Sequence, residues 1–464
     1  MSKMLKMLSQ LNDARYTYIL IILLLGCGLY LFFRTKFAPI RFFIESLKLV
    51  TEKTNTKGVS SFQAIMIATA SRVGVGNIIG VSYALIVGGS GALFWMWITA
   101  ILGSSSACVE CILAQIYKIR NENNTTFVGG PAYYIHRLSG KRGLGVLFSW
   151  LLILCFSVGF NGLQAYNLSS SFEHYIEGYQ GSTYQYLVGL GLSLIILLII
   201  AKGIKGVGVI SSVLVPIKAI IYIGVALYVT FSNVEKLPLI FRSIISNAFN
   251  FKAIFAGFSS SALLIGVKRG LYSNEAGMGS APNAAASADV SHPAKQGILQ
   301  IFSVFMDTLI CTSTAFLILA SGVSISPNNA GIYVVQQALY SQLGTFGIHF
   351  ISFFILLFSF TSIFGNHCYS ESNILYIFET NEILKFFRPL CIVPVFLGTI
   401  VKSEVAWNIA DICMGLMAIM NIIFILKGST QAINCLNNYS KLKRQNKNLK
   451  FIAESIGIQN TIWK

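Results

Sequence analysis

Long apolar runs constrain this chain more than any other feature. A helix needs roughly 20 apolar residues to cross the hydrocarbon core of a bilayer. Only structures that satisfy their backbone polar groups internally can cross it. Candidate spans are 16–33, 62–88, 91–117, 143–171, 184–201, 207–231, 253–288 (broken), 296–322, 344–378, 386–401 and 405–427. The chain is 55% hydrophobic and 11% charged, a balance outside the range of soluble globular domains. The expectation is an all-α integral membrane protein with about 11 transmembrane helices.

The formal net charge of +17 raises the question of nucleic acid. Its distribution answers it: basic residues cluster in the loops 34–61 and 118–142 and in the tail after 427, while 172–183 and 323–343 carry none. That alternation is the signature of a cytoplasmic side, and it places the C-terminus inside and the N-terminus outside. Lys3, Lys6, Arg15, Lys236, Arg242 and Lys252 run against it. Segment 34–60 reads as an interfacial helix and 331–343 as a short external one. Cys108-Val109-Glu110-Cys111 lies inside an apolar span with no second pair, so it reads as helix packing and not as a zinc site. Walker, zinc-hydrolase and nucleophile-elbow motifs are not found, so no enzymatic function and no cofactor are expected.

Two stretches break the apolar pattern. One is Ala70 to Asn77, with Gly74 and Gly76; the other is Lys268 to Pro282, with Gly277 and Gly279. Glycine pairs at membrane depth let a helix unwind, and charges such as Arg72, Lys268, Arg269 and Glu275 need partners there. Setting aside the first span leaves ten, which divide into two fives, each beginning with one break. An odd number per repeat gives the halves opposite topology, the inverted-repeat plan of many secondary transporters. The expected units are an extra N-terminal helix with an interfacial segment (1–60), a first repeat (61–231), an external loop (232–252), a second repeat (253–427) and a basic cytoplasmic tail (428–464).

The same stretches resemble the alanine/glycine:cation symporter family, the sodium:alanine symporters. The resemblance is carried by Ser61 to Ala64, Arg72 to Val81, Gly88 to Trp97, Glu110, Gly129 to Ile135 and Gly266 to Pro282. It continues through His292-Pro293, Gln296-Gly297, Asp307-Thr308, Cys311 to Ala315 and Phe358 to Glu371. It implies a five-plus-five inverted repeat of the leucine-transporter type and Na+ symport of a small neutral amino acid, alanine or glycine first. A glutamine or asparagine preference, proton coupling and an ion channel are the competing readings. The composition, rich in Ile, Asn, Lys and Ser, fits a bacterial source, and the expectation is a bacterial cytoplasmic membrane and function as a monomer. Two departures stand out. Gly74-Val75-Gly76-Asn77 replaces the family's Gly-Thr-Gly-Asn, and Asn366 replaces the Trp of its Gly-Trp motif, which enlarges the expected pocket.

A zwitterion needs N–H donors for its carboxylate and carbonyls for its ammonium, and an unwound helix offers both. The expected substrate residues are Gly74, Val75, Gly76 and Asn77 for the carboxylate and Asn274 for the ammonium, with Asn161, Gln164 and Asn366 lining the pocket. Asn161 and Gln164 share a helical face, which fits helix–helix hydrogen bonding as well as pocket lining. The leucine-transporter resemblance implies a Na+ site of Thr361 and Ser362 with the carbonyls of Ala70 and Val73. Asp307, with Thr308 and Thr312 beside it, reads as a second ion ligand, a protonation site or a partner for Arg72 or Arg269. Glu110 reads as one half of an ion pair with Lys or Arg, and Lys268 or Arg269 as snorkelling cations or partners of Glu275.

Overall fold

The structure is a computed structural model that describes residues 17–52, 58–121, 126–250, 261–324, 331–400, 403–445, 449–459 and 461–463. Lys3, Lys6, Arg15, Lys252 and the first part of the expected broken span, 253–260, lie outside them.

The described residues are helical nearly throughout. The helices used below are α1 (Thr17–Arg34), α2 (Phe43–Val50), α3 (Ser61–Arg72), α4 (Ile79–Gly88) and α5 (Gly91–Ile116). Then come α6 (Arg142–Ile153), which runs through a π-helical stretch (Leu154–Phe160) into α7 (Asn161–Ser170), α8 (Thr183–Ile200) and α9 (Gly203–Ser232). They are followed by α10 (Leu237–Ala248), α11 (Ala262–Asn274), α12 (Ala281–Ser287) and α13 (Pro293–Ser321). The last four are α14 (Ile332–Leu343), α15 (Thr345–Phe378), α16 (Ile392–Ile400) and α17 (Ser403–Arg444).

Eight helices are long and apolar enough to cross a membrane, and α3 with α4, bent by 57°, makes a ninth among the described residues. The first expected span appears as α1, described from Thr17, and the second broken span appears as two pieces, α11 and α12, separated by Glu275–Ser280. The helical segments expected at 34–60 and 331–343 appear as α2 and α14. The region expected as loop 232–252 contains α10, and the helix expected to end near 427 continues to Arg444. The expected polar tail therefore packs rather than trailing: Ala432, Cys435, Leu436 and Tyr439 are buried along one face of α17, and the Trp463 indole donates to the Gln115 carbonyl at 2.8 Å.

Helix α9 shows how apolar patterning positions the interior. Val209, Val213, Ile217 and Ile220 are exposed, as suits a lipid-facing stripe. Ser211, Val215, Lys218 and Tyr222, at steps of four, three and four, are buried. Helix α9 packs against α3, α8, α13 and α15, so its inner stripe faces the first break.

The second break depends on backbone freedom. Gly279 has φ +87, and a Cβ there would lie 2.8–2.9 Å from Phe148, Asn421 and Pro131. Gly279→Ala combines a disfavoured φ with overpacking, each costing roughly 1–3 kcal/mol. The expected outcome is a clear fall in thermal unfolding temperature, while Gly80→Ala, with nothing within 4 Å of the added Cβ, leaves it near that of the parent.

Candidate functional site

The first break begins with a well-capped helix. The Ser60 hydroxyl accepts from the Gln63 amide N–H at 3.1 Å, and the Gln63 side chain accepts from Ser60 N–H at 3.0 Å. Helix α3 then stops at Arg72, and a single 3-10 turn, Val75–Asn77, leads into α4. Side chains satisfy the groups this frees. Gly74 N–H donates to Asn77 Oδ1 at 3.0 Å, and Val75 N–H donates to Gln164 Oε1 at 3.1 Å. The Ala70 carbonyl accepts from the Ser362 hydroxyl at 2.9 Å. The glycines are demanded by packing: a Cβ on Gly74 would lie 2.4 Å from Ser362 Oγ, and one on Gly76 would lie 2.5 Å from the Tyr272 ring.

In the second break, Glu275 takes a left-handed backbone with φ 50. Its carboxylate is held by the hydroxyls of Ser71 at 3.0 Å and Ser280 at 2.6 Å. Ser71 also donates to Asn366 at 2.6 Å, and Asn366 donates to Asn161 at 2.9 Å. One polar chain thus ties α3 to α7, α15 and the second break. Glu110 of α5 accepts from Gly279 N–H at 3.1 Å and from Asn421 at 2.9 Å, so it caps the unwound backbone. This corrects the expected ion pair with Lys or Arg: freed backbone N–H groups attract a carboxylate as well as a cation does.

Asp307 of α13 joins the two breaks. Its carboxylate accepts from Asn77 Nδ2 and from the Ser273 hydroxyl, both at 2.5 Å. Thr312 is not with it: that hydroxyl donates to the Thr308 carbonyl and accepts from the Trp97 indole at 2.9 Å. The Asn274 side chain likewise turns to Thr308, at 3.3 Å. Lys268 pairs with Asp411 at 2.7 Å and not with Glu275. Glu110, Glu275 and Asp307 are each buried, and none makes an ion pair among the described residues. Arg72 acts electrostatically on all three, and its direct partner is Gln300 at 2.7 Å.

The expected ion ligands Ala70, Val73, Thr361 and Ser362 do converge between the first break and α15. The sequence reading missed what lies among them. Lys218 of α9 donates through its ammonium to the Val73 carbonyl at 2.8 Å and to the Thr361 hydroxyl. The signal was present, because Lys218 is the single charged residue in 207–231. The residues around both breaks are buried, with Asn77, Asn161 and Asn366 each at 1% exposure or less. A separate cavity of about 430 Å³ is lined by Tyr117, Arg120, Tyr133, Arg137, Tyr376 and Glu379, and it shares no residue with either break.

Paired helix breaks that meet at buried carboxylates, within a bundle of membrane-length helices, define a secondary transporter with the leucine-transporter fold. The same fold is seen in the crystal structure of MhsT in complex with L-phenylalanine, with TM-score 0.53, 15% identity, and coverage of 87% of this chain and 98% of that one. Residues 1–453 match the family model described as the sodium:alanine symporter family. The chain belongs to that family. It is 41% identical over 455 residues to the probable sodium/glutamine symporter GlnT of Bacillus subtilis (strain 168), covering 97% of this chain and 94% of GlnT. It is also 41% identical over 452 residues to the amino-acid carrier protein AlsT of the same organism, covering 97% of this chain and 95% of AlsT.

Proposed function

We propose that the protein imports a small neutral amino acid, alanine or glycine first, in symport with Na+ across a bacterial cytoplasmic membrane. The observation that carries this is the group of three buried carboxylates where the two breaks meet, none of them in an ion pair among the described residues. Glu110, Glu275 and Asp307 share one nearby guanidinium, and uncompensated charge in a low-dielectric interior calls for a further cation. In this reading Asp307, with the hydroxyl oxygen of Ser273 beside it, is the Na+ site, since hard cations take oxygen ligands. The substrate carboxylate displaces Gln164 and Asn77 from the N–H groups of Val75 and Gly74. The ammonium is received by Asn161 and Asn366 and by carbonyls near Asn274. The units 61–231 and 253–427 act as opposed repeats that rock about this point. The N-terminus is external and the C-terminus cytoplasmic. The transporter works as a monomer, with Na+ as cargo, and no enzymatic step is assigned to it.

Ligand-dependent unfolding tests the pairing of substrate with ion. A saturating ligand at about 100 times its Kd adds roughly 2.7 kcal/mol to stability. Alanine is expected to raise the unfolding temperature in Na+ and to do far less in K+. Equal stabilisation in both salts counts against symport at this site.

A second reading has its own support: the amides of Asn161 and Asn366 face each other at 2.9 Å, the chemistry a glutamine side chain would match. Asn366→Trp fills that space and removes one amide. Its expected result is a substrate order shifted toward alanine and glycine by about tenfold over glutamine, read by competition for uptake. An unchanged order places Asn366 outside the pocket.

A further inference from the structure

Lys218 is not used by the mechanism above, and its surroundings are unusual. The residue lies on the inner stripe of α9, wholly buried, at 1% exposure. Its ammonium donates to the Val73 carbonyl at 2.8 Å and to the Thr361 hydroxyl, with the face of the Phe358 ring 4.5 Å away. The Thr361 hydroxyl proton is itself directed to the carbonyls of Leu357 and Phe358, at 3.0 and 3.1 Å, so its oxygen is left to accept. Ser362, next in sequence, donates to the Ala70 carbonyl at 2.9 Å. The cage is therefore built of carbonyl and hydroxyl oxygens.

No carboxylate pairs with Lys218 among the described residues. The charged groups on the helices packed against α9 are engaged elsewhere. Arg72 bonds to Gln300, Lys295 to Glu52, Asp307 to Asn77 and Ser273, and Glu371 to His367 and Arg388. A buried ammonium without a counter-ion is expensive, and it is tolerated where oxygen dipoles and an aromatic face surround it. Those are the same oxygen ligands that a hard alkali cation prefers. One cage cannot hold both.

We propose that Lys218 is a tethered cation: its ammonium fills the oxygen cage between the first break and α15, so no transported cation binds there. The ordering that a bound ion would give the unwound Ala70–Asn77 backbone comes instead from a side chain of α9. The corollary, which rests on the symport reading above, is that coupling Na+ binds only at the Asp307 group. Each transport cycle then carries one charge fewer than it would with both sites filled.

Counting bound radioactive sodium on the purified full chain tests this. Lys218→Ala empties the cage, and the variant is expected to bind one more Na+ per protein than the parent. Adding Thr361→Ala to that variant is expected to weaken the gained site by about tenfold or more. A Lys218→Ala protein that folds and binds no additional Na+ overturns the proposal. Should that variant not fold, Thr361→Ala in the parent decides. With the cage filled by Lys218, this variant is expected to leave the number and affinity of bound Na+ as in the parent; loss or weakening of a bound Na+ overturns the proposal. A parent that binds none while Lys218→Ala binds one sustains the tethered cation and sinks the Na+ reading, so the two failures are distinguishable.

Discussion

Asp307→Asn is expected to raise the Na+ concentration needed for half-maximal uptake by about a hundredfold, equivalent to roughly 3 kcal/mol. The substitution preserves shape. The remaining oxygen still accepts from Asn77, which lies 2.5 Å from the native carboxylate. Ser273, at 2.5 Å from the other oxygen, turns its hydroxyl to accept from the new amide. What is lost is the negative charge at the junction of the two breaks, the one feature there that a cation needs and a neutral hydrogen-bond network does not. The parallel control is thermal unfolding in K+, which should move little. A variant with unchanged Na+ dependence would remove Asp307 from the ion site and transfer that role to Glu275 or Glu110.

Gly74→Ala is expected to reduce amino-acid uptake to about a tenth of the parent or less. The added Cβ lies 2.4 Å from Ser362 Oγ and 2.7 Å from Gln164 Nε2. Neither side chain can yield without cost: Ser362 holds the Ala70 carbonyl, and Gln164 holds Val75 N–H. Displacing them disturbs the carboxylate-binding backbone and the oxygen cage together. Gly80→Ala, on the same broken helix with open space at its Cβ, is the matched comparison and should retain uptake. Equal loss in both variants would trace the effect to helix propensity and not to the site.

Much of this was legible in the sequence, for definable reasons. Glycine pairs beside charge are rare inside apolar runs, so both breaks were visible without a structure. Asn161 and Gln164 were visible because buried amides need partners, and Asn366 because it departs from the Trp of the family's Gly-Trp motif. Partner choice was not visible, because it is set by contacts between residues distant in sequence. Glu110 was expected beside a cation and instead caps the backbone of Gly279. Thr312 was grouped with Asp307 from its helical spacing, yet its hydroxyl serves Trp97, on another helix. Lys218 was overlooked for a different reason. A lone cation in an apolar helix has no motif, and its meaning emerges only when Val73 and Thr361 are brought against it. The packed tail was hidden by its basic composition, although Ala432, Cys435, Leu436 and Tyr439 already marked one helical face.

Whether the two breaks form one amino-acid site coupled to a cation gradient is decided by uptake of labelled alanine, glycine and glutamine into proteoliposomes under an inward Na+ gradient. At least one of the three is expected to accumulate above its external concentration, and that accumulation to collapse when K+ replaces Na+. Equilibration without accumulation, or no uptake of any of the three, would contradict that coupling.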